Sequence, residues 1–184
     1  MDGLSTRRFD LRDFEPADIP ALAAYQSDPR FVSARRNAGQ EAGDPAELVA
    51  LFCAWAQEHP RRNYQFAIVE RRIGRVVGCA GVRTANCPQG SGELGIELSA
   101  DLWGRYGCAV EVMCALLDFG FSTLSLHEII GETTAENHQA ARLASFLGAR
   151  CEKPAGHGNK GLQPSGNPVL WRFLFRDWTF GRSG

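Results

Sequence analysis

Two apolar runs, Tyr64–Glu70 (YQFAIVE) and Arg75–Arg83 (RVVGCAGVR), stand either side of a short turn that includes Gly74. Runs of this length, separated by a glycine turn, form a β-hairpin. Glu93–Ser99 (ELGIELS) follows as a third strand of the same sheet. The middle of the chain is therefore committed to a sheet that begins as a hairpin, and the other elements must be placed around it.

Before the hairpin, Thr6–Phe14 (TRRFDLRDF) alternates polar with apolar, as a half-buried strand does. Glu15-Pro16-Ala17-Asp18 starts a short helix carrying Ile19, Leu22, Ala23 and Tyr25, stopped near Asp28-Pro29. Ser33–Gly43 reads as a polar loop. Asp44-Pro45-Ala46-Glu47 then gives an N-cap, a first-position Pro and an acidic third residue. The helix it opens is expected to run to about Glu58, with Leu48, Leu51, Phe52 and Trp55 on one face.

After the third strand, the glycine-containing segment Trp103–Ala109 leads into an apolar helix, Val110–Phe121. Glu128–Thr133 is a short strand, and Asn137–Leu147 a helix stopped by Gly148. Lys153–Pro168 holds four Gly and three Pro, which predicts a long loop before a closing strand, Val169–Thr179. The order β-α-α-β-β-β-α-β-α-β is mixed α/β, antiparallel in front and β-α-β behind. No repeat or linker divides the 184 residues, so one domain over 1–184 is expected.

Charge and cysteine usage narrow the function classes. The 20 Lys+Arg against 21 Asp+Glu leave a formal charge of −1, without the cationic excess that phosphate-backbone binding needs. All but Lys153 and Lys160 of those cations are Arg, and pairs such as Arg35-Arg36 stand among carboxylates. No apolar run reaches the roughly 20 residues of a membrane span, and the N-terminus lacks a signal-peptide core. A cytoplasmic protein with no nucleic-acid or membrane partner is the expectation. The six cysteines contain no C-x-x-C, so neither a zinc site nor a redox pair is predicted, and no metal is expected.

The chemistry concentrates between Leu98 and Glu111 (LSADLWGRYGCAVE), where a strand ends, Gly104 and Gly107 shape a loop, and a helix begins near Cys108. Glycines let backbone approach a ligand closely, and the first helical N–H groups have no internal partners, so they can donate to phosphate oxygens. Arg105 adds a charged fork on the same loop. Neither the P-loop pattern, nor the triple-glycine dinucleotide pattern, nor G-x-S-x-G occurs.

Gly107-Cys108-Ala109-Val110-Glu111 resembles the G-x-A-x-E part of the acyl-CoA loop of GNAT-superfamily N-acetyltransferases, in the branch that acetylates ribosomal-protein N-termini. Glu93–Leu98 is similar to the strand preceding that loop. Phe119-Gly120-Phe121 with Leu126-His127-Glu128-Ile129 is similar to the family's helix end and next strand. Asn137–Leu143, with Leu147-Gly148-Ala149, resembles the N-x-x-(S/A)-x-x-L…L-G-F helix. The likeness runs in order from about Phe66 to Ala149. It implies a central, mostly antiparallel twisted sheet, splayed at the acyl-CoA site and flanked by about four helices.

The resemblance also implies roles. Backbone N–H groups of Arg105, Tyr106, Gly107, Cys108 and Ala109 would bind the pyrophosphate of acetyl-CoA. The Leu98 N–H would polarise the thioester carbonyl, and the Asn137 amide would bond the pantetheine arm. Transfer to an amine needs its neutral form; Glu93 is the candidate general base, and Glu97, further along the strand, faces the same side. Relatives often carry Gln or Arg where Gly104 stands, and a Tyr that protonates the leaving thiolate where Ala144 stands; neighbouring Ser145 lies on another helix face. The implied partners are acetyl-CoA and an amine acceptor, with a homodimer left open. Two rivals remain: Cys108 as a nucleophile served by one of His59, His127, His138 or His157, and an acyl-CoA-binding or sensor module without catalysis.

Overall fold

The computed structural model describes residues 3–37, 43–152 and 168–178. Two strands open the chain, β1 (Leu4–Ser5) and β2 (Phe9–Asp13), separated by a turn in which the Thr6 N–H donates to the Phe9 carbonyl. That turn shortens the strand expected from Thr6. Helix α1 (Ile19–Gln26) follows a single 3-10 turn, Pro16–Asp18.

A second helix, α2 (Pro29–Asn37), occupies the start of the stretch expected to be a loop. Its sequence is mostly polar, and its one buried side chain is Phe31, which packs edge-on against Tyr25. Residues 38–42 lie outside the described residues. Helix α3 (Pro45–Gln57) begins as expected, with the Asp44 side chain accepting from the Ala46 and Glu47 N–H groups. Its buried face is Val49 and Phe52, whereas Leu51 is 43% exposed. Leu51 stands about 200° around the helix from Val49, so the face that meets the sheet excludes it.

The hairpin forms as β3 (Asn63–Glu70) and β4 (Arg75–Arg83), and β5 (Ser91–Leu98) pairs antiparallel with β4. Helix α4 (Tyr106–Asp118) begins before the expected Val110, because Gly107, Cys108 and Ala109 all lie inside its first turns. It ends in a wide turn over Phe119–Thr123. Then come β6 (Glu128–Thr134), α5 (His138–Phe146) and a three-residue strand, β7 (Arg150–Glu152), too short to read from periodicity. Strand β8 (Pro168–Leu174) ends earlier than the expected Thr179, in a 3-10 turn at Phe175–Asp177. Of the Gly/Pro-rich stretch, Pro168 begins β8 and 153–167 lie outside the described residues.

Among the described residues, eight strands form one sheet in the order β1-β2-β3-β4-β5-β6-β8-β7, antiparallel except between β5 and β6. The five helices cover both faces. Alpha-4 packs Val112 and Leu116 onto Phe66, Ile68, Ala80, Val82 and Leu94. The opposite face carries Ala67, Val76 and Cys79 under Leu22, Tyr25, Val49 and Phe52. The helix beyond the expected four is α2, and the fold is otherwise the mixed, mostly antiparallel architecture that the sequence implies.

Candidate active site

The parallel β5–β6 pairing is brief. Ser91, Gly92 and Glu93 lie opposite Glu128, Ile129 and Ile130, after which β6 continues against β8 alone. Strand β5 stays paired to β4 as far as Leu98, so residues 94–98 have one bonded edge and one that faces a gap. The Ser99 N–H donates to the Val77 carbonyl at 2.7 Å. Antiparallel pairing alternates, so Glu97 turns its backbone groups toward β4, while Ile96 and Leu98 turn theirs toward the gap. The Leu98 carbonyl is taken by the Trp103 indole N–H at 2.9 Å.

The connection from Leu98 to α4 turns at Gly104, whose φ of +77° is the left-handed region that favours glycine. Within it the Arg105 N–H donates to the Leu102 carbonyl at 3.1 Å and the Cys108 N–H to the Arg105 carbonyl at 2.8 Å. The Ala109 amide joins the regular helical ladder. Among the five amides assigned to phosphate, Tyr106 and Gly107 are thus the first-turn donors without an intrahelical acceptor. Gly107 and Arg105 are exposed, whereas the Cys108 side chain is 3% exposed within the core.

Arg8 belongs to this corner, although nothing local in the sequence marks it. Its backbone N–H donates to Glu111 Oε1 at 2.6 Å and its Nε to Glu111 Oε2 at 2.7 Å, across 103 residues. A Cβ on Gly107 would lie 3.1 Å from Arg8 Nη2. Gly107 and Glu111, one turn apart on α4, therefore make room for this guanidinium and hold it against the helix start. Burial raises the Glu111 pKa, but hydrogen bonds from Thr6 and Arg8 outweigh it and hold the carboxyl below its ordinary value.

On the face covered by α1–α3, β5 presents Glu93, Gly95 and Glu97. Glu93 Oε1 pairs with Arg83 Nη2 at 2.7 Å, and that guanidinium lies over Gly95, 3.2 Å from where a Cβ would stand. Glu97 Oε2 accepts from the Tyr25 hydroxyl and Gln26 Nε2, both at 3.4 Å, and from Cys79 Sγ at 3.8 Å. Burial pushes the Tyr25 hydroxyl and the Cys79 thiol well above their ordinary pKa values, so both are neutral donors at pH 7. Tyr25 meets Phe31 edge-on at 5.4 Å and Phe31 meets Trp103 in a tilted contact at 6.2 Å, so an aromatic chain runs from Glu97 back to Leu98.

Asn137 is exposed at the N-terminus of α5, where its Oδ1 accepts from the Ala140 N–H at 3.0 Å, leaving the side-chain NH2 as a donor. Ala144 is buried, and Ser145, one residue on, is exposed. Cys108 has no surface thiol to offer as a nucleophile, and His157 lies outside the described residues. Among the described residues no three His, Cys, Asp or Glu side chains gather into a metal site, and no helix is long and apolar enough to cross a membrane.

Comparison with known proteins gives one consistent result. The chain is 27% identical over 151 residues to the uncharacterized N-acetyltransferase p20 of Bacillus licheniformis, covering 80% of this chain and 82% of that one. Its fold is similar to that of a ribosomal-protein-S5-alanine acetyltransferase from Vibrio fischeri (TM-score 0.72, 18% identity, 96% of this chain and 98% of that one). It is equally similar to a spermidine N-acetyltransferase from Vibrio cholerae solved with CoA and spermine (TM-score 0.71, 20% identity, 94% of this chain and 98% of that one). The model of the acetyltransferase (GNAT) domain matches residues 8–150, and the chain belongs to the GNAT acetyltransferase family.

Proposed function

We propose that the chain moves an acetyl group from acetyl-CoA to a primary amine by direct attack of the amine on the thioester. The observation that carries this reading is the departure of β6 from β5 after Glu93, which leaves residues 94–98 with a free edge beside the first turn of α4. The residues fit the co-substrate. Of the amides from Arg105 to Ala109, those of Tyr106 and Gly107, which have no acceptor within the helix, receive the pyrophosphate, and the positive end of the α4 dipole adds attraction. Extended pantetheine lies along the gap, where the Asn137 NH2 reaches its amides.

The Leu98 N–H donates to the thioester carbonyl and stabilises the negative charge that grows there as nitrogen attacks. The amine must first lose a proton. Glu93 takes it directly or through water, while Arg83 holds its other oxygen. The N–C bond forms, the C–S bond breaks, and the thiolate leaves with the bonding pair. A thiolate with pKa near 8.5 can take its proton from solvent, which suits a site where buried Ala144 supplies no acid.

The acceptor is a protein or peptide N-terminus or a small-molecule amine; proteins with this fold are named for both. We further propose that residues 1–184 act as one cytoplasmic domain without nucleic-acid or membrane partners, alone or as a homodimer. The test is acetyl-CoA-dependent thiol release against N-terminal peptides and small amines, with Glu93→Gln as the companion variant. Acceptor-dependent release by the wild type, depressed in Glu93→Gln chiefly at neutral pH, supports the reading. Binding of acetyl-CoA without any acceptor-dependent release replaces it with a sensor. An unaltered pH profile removes Glu93 from the mechanism.

A further inference from the structure

Five carboxylates lie on strands β2–β5, and four of them are neutralised. Asp10, Asp13, Glu70 and Glu93 pair with Arg71, Arg61, Arg72 and Arg83 at 2.7–3.7 Å. Among the described residues no Lys or Arg comes within that reach of Glu97. Its contacts are neutral donors at 3.4–3.8 Å, all on Oε2. A partly buried carboxylate without a cation is costly, because removal from water is repaid only by a paired charge or short hydrogen bonds. The fold nevertheless keeps one here, next in sequence to Leu98 and beneath Tyr25.

The other charges around this corner are committed elsewhere. Arg83 is held by Glu93, and Arg30 bridges Asp28 and Asp101 at 2.7 Å to each. Arg35 lies over the Phe31 ring at 5.8 Å. Tyr25, Gln26 and Cys79 orient Glu97 but bring no charge to it. The feature missing among the described residues around it is therefore a small cation with N–H donors. Beside this carboxylate an ammonium supplies both the missing charge and the N–H donors.

We propose that Glu97 is the docking carboxylate for the acceptor, which arrives as an alkylammonium and is held beside Leu98 before it is deprotonated. This rests on the transfer reading above and deepens it. It assigns the acceptor to amines protonated in water, such as alkylamines and free N-termini, and disfavours arylamines that are neutral at pH 7. Glu97 acts in binding, and the proton passes through water to Glu93, four residues back and about 13 Å away along the strand.

The test compares wild type, Glu97→Gln and Glu97→Asp in thiol release with n-butylamine, spermidine, an alanyl peptide and aniline. Thermal melts check that each variant folds. For the acceptor that turns over best, Glu97→Gln raises KM about tenfold or more, as expected for loss of a charged hydrogen-bonded partner. The KM for acetyl-CoA and the pH profile of kcat stay in place, Glu97→Asp recovers much of the loss, and the preference for alkylamine over aniline falls in Glu97→Gln. An amine KM within about twofold of wild type in a folded Glu97→Gln protein overturns the inference while leaving transfer intact. Failure of the wild type to release thiol with any amine overturns both.

Discussion

The indole Nε1 of Trp103 donates to the main-chain carbonyl of Leu98 at 2.9 Å, tying the loop that leaves β5 back onto the strand's last residue. One hydrogen bond thus fixes the Leu98–Ser99 peptide, whose own N–H donates to Val77 on β4, and through it the adjoining Leu98 N–H that faces the gap. Its ring also meets Phe31, so helix α2 is coupled to the same peptide.

Trp103→Phe keeps the ring contact and removes the donor. The Leu98 carbonyl then has only solvent to replace it, at a cost of about 1 kcal/mol. For a chain of this length that lowers Tm by about 2–4 °C. The more telling outcome is kinetic: kcat falls while the amine KM holds, because a loosened Leu98 N–H stabilises the developing oxyanion less well. Thermal melts and steady-state thiol release check both, and an unchanged kcat shows that Leu98 is held without Trp103.

Gly107→Glu fills the corner shared with Arg8. The new Cβ stands 3.1 Å from Arg8 Nη2, and the added carboxylate competes for that guanidinium and faces the first-turn amides. Saturating acetyl-CoA is expected to raise the Tm of the wild type and to leave that of Gly107→Glu unmoved. A shift of wild-type size in the variant moves the co-substrate site elsewhere.

Much of this corner was legible because its signals are local. The Asp44-Pro45 start of α3, the Gly74 hairpin and Gly148 after α5, with φ +81°, each depend on residues a few positions apart. The same holds for the strand, glycine turn and helix from Leu98 to Glu111. Helix α2 was not legible, because its polar Arg-rich sequence carries no apolar stripe and docks through Phe31 onto Tyr25 and Trp103. Arg8 and Glu111 meet across 103 residues, which periodicity cannot reach. Glu93 and Glu97 look alike in sequence; what separates them is Arg83 on one side and Tyr25 on the other.

Asp18 predicts how the fold responds to acid. It is buried where β2 hands over to α1; both oxygens accept from Arg12 at 2.8 Å, and Oδ2 also takes the Glu15 N–H at 2.8 Å. Burial alone raises its pKa, but the bonds from Arg12 and Glu15 outweigh it and leave the carboxyl below its ordinary value. A folded value below the unfolded one, about 3.9, gives stability that is complete above that pH and lost as pH falls through the folded value. Asp18→Asn is expected to cost about 1–3 kcal/mol at pH 7 and to show a shallower loss of stability below about pH 4. Denaturant melts at stepped pH measure this, and an acid slope equal to wild type assigns the transition to other carboxylates.

Asn137 performs two tasks that different substitutions separate. Its Oδ1 caps α5 through the Ala140 N–H, while its NH2 is the group assigned to pantetheine. Asn137→Ala removes both and is expected to cost about 1 kcal/mol together with a higher KM for acetyl-CoA. Asn137→Asp keeps an equally good cap but has no NH2 and places a negative charge beside the pantetheine amides. Its melting temperature should therefore match wild type while its KM for acetyl-CoA rises as in Asn137→Ala. If Asn137→Asp retains the wild-type KM, the residue serves the helix alone, and the pantetheine arm takes its hydrogen bonds from the open edge of β5.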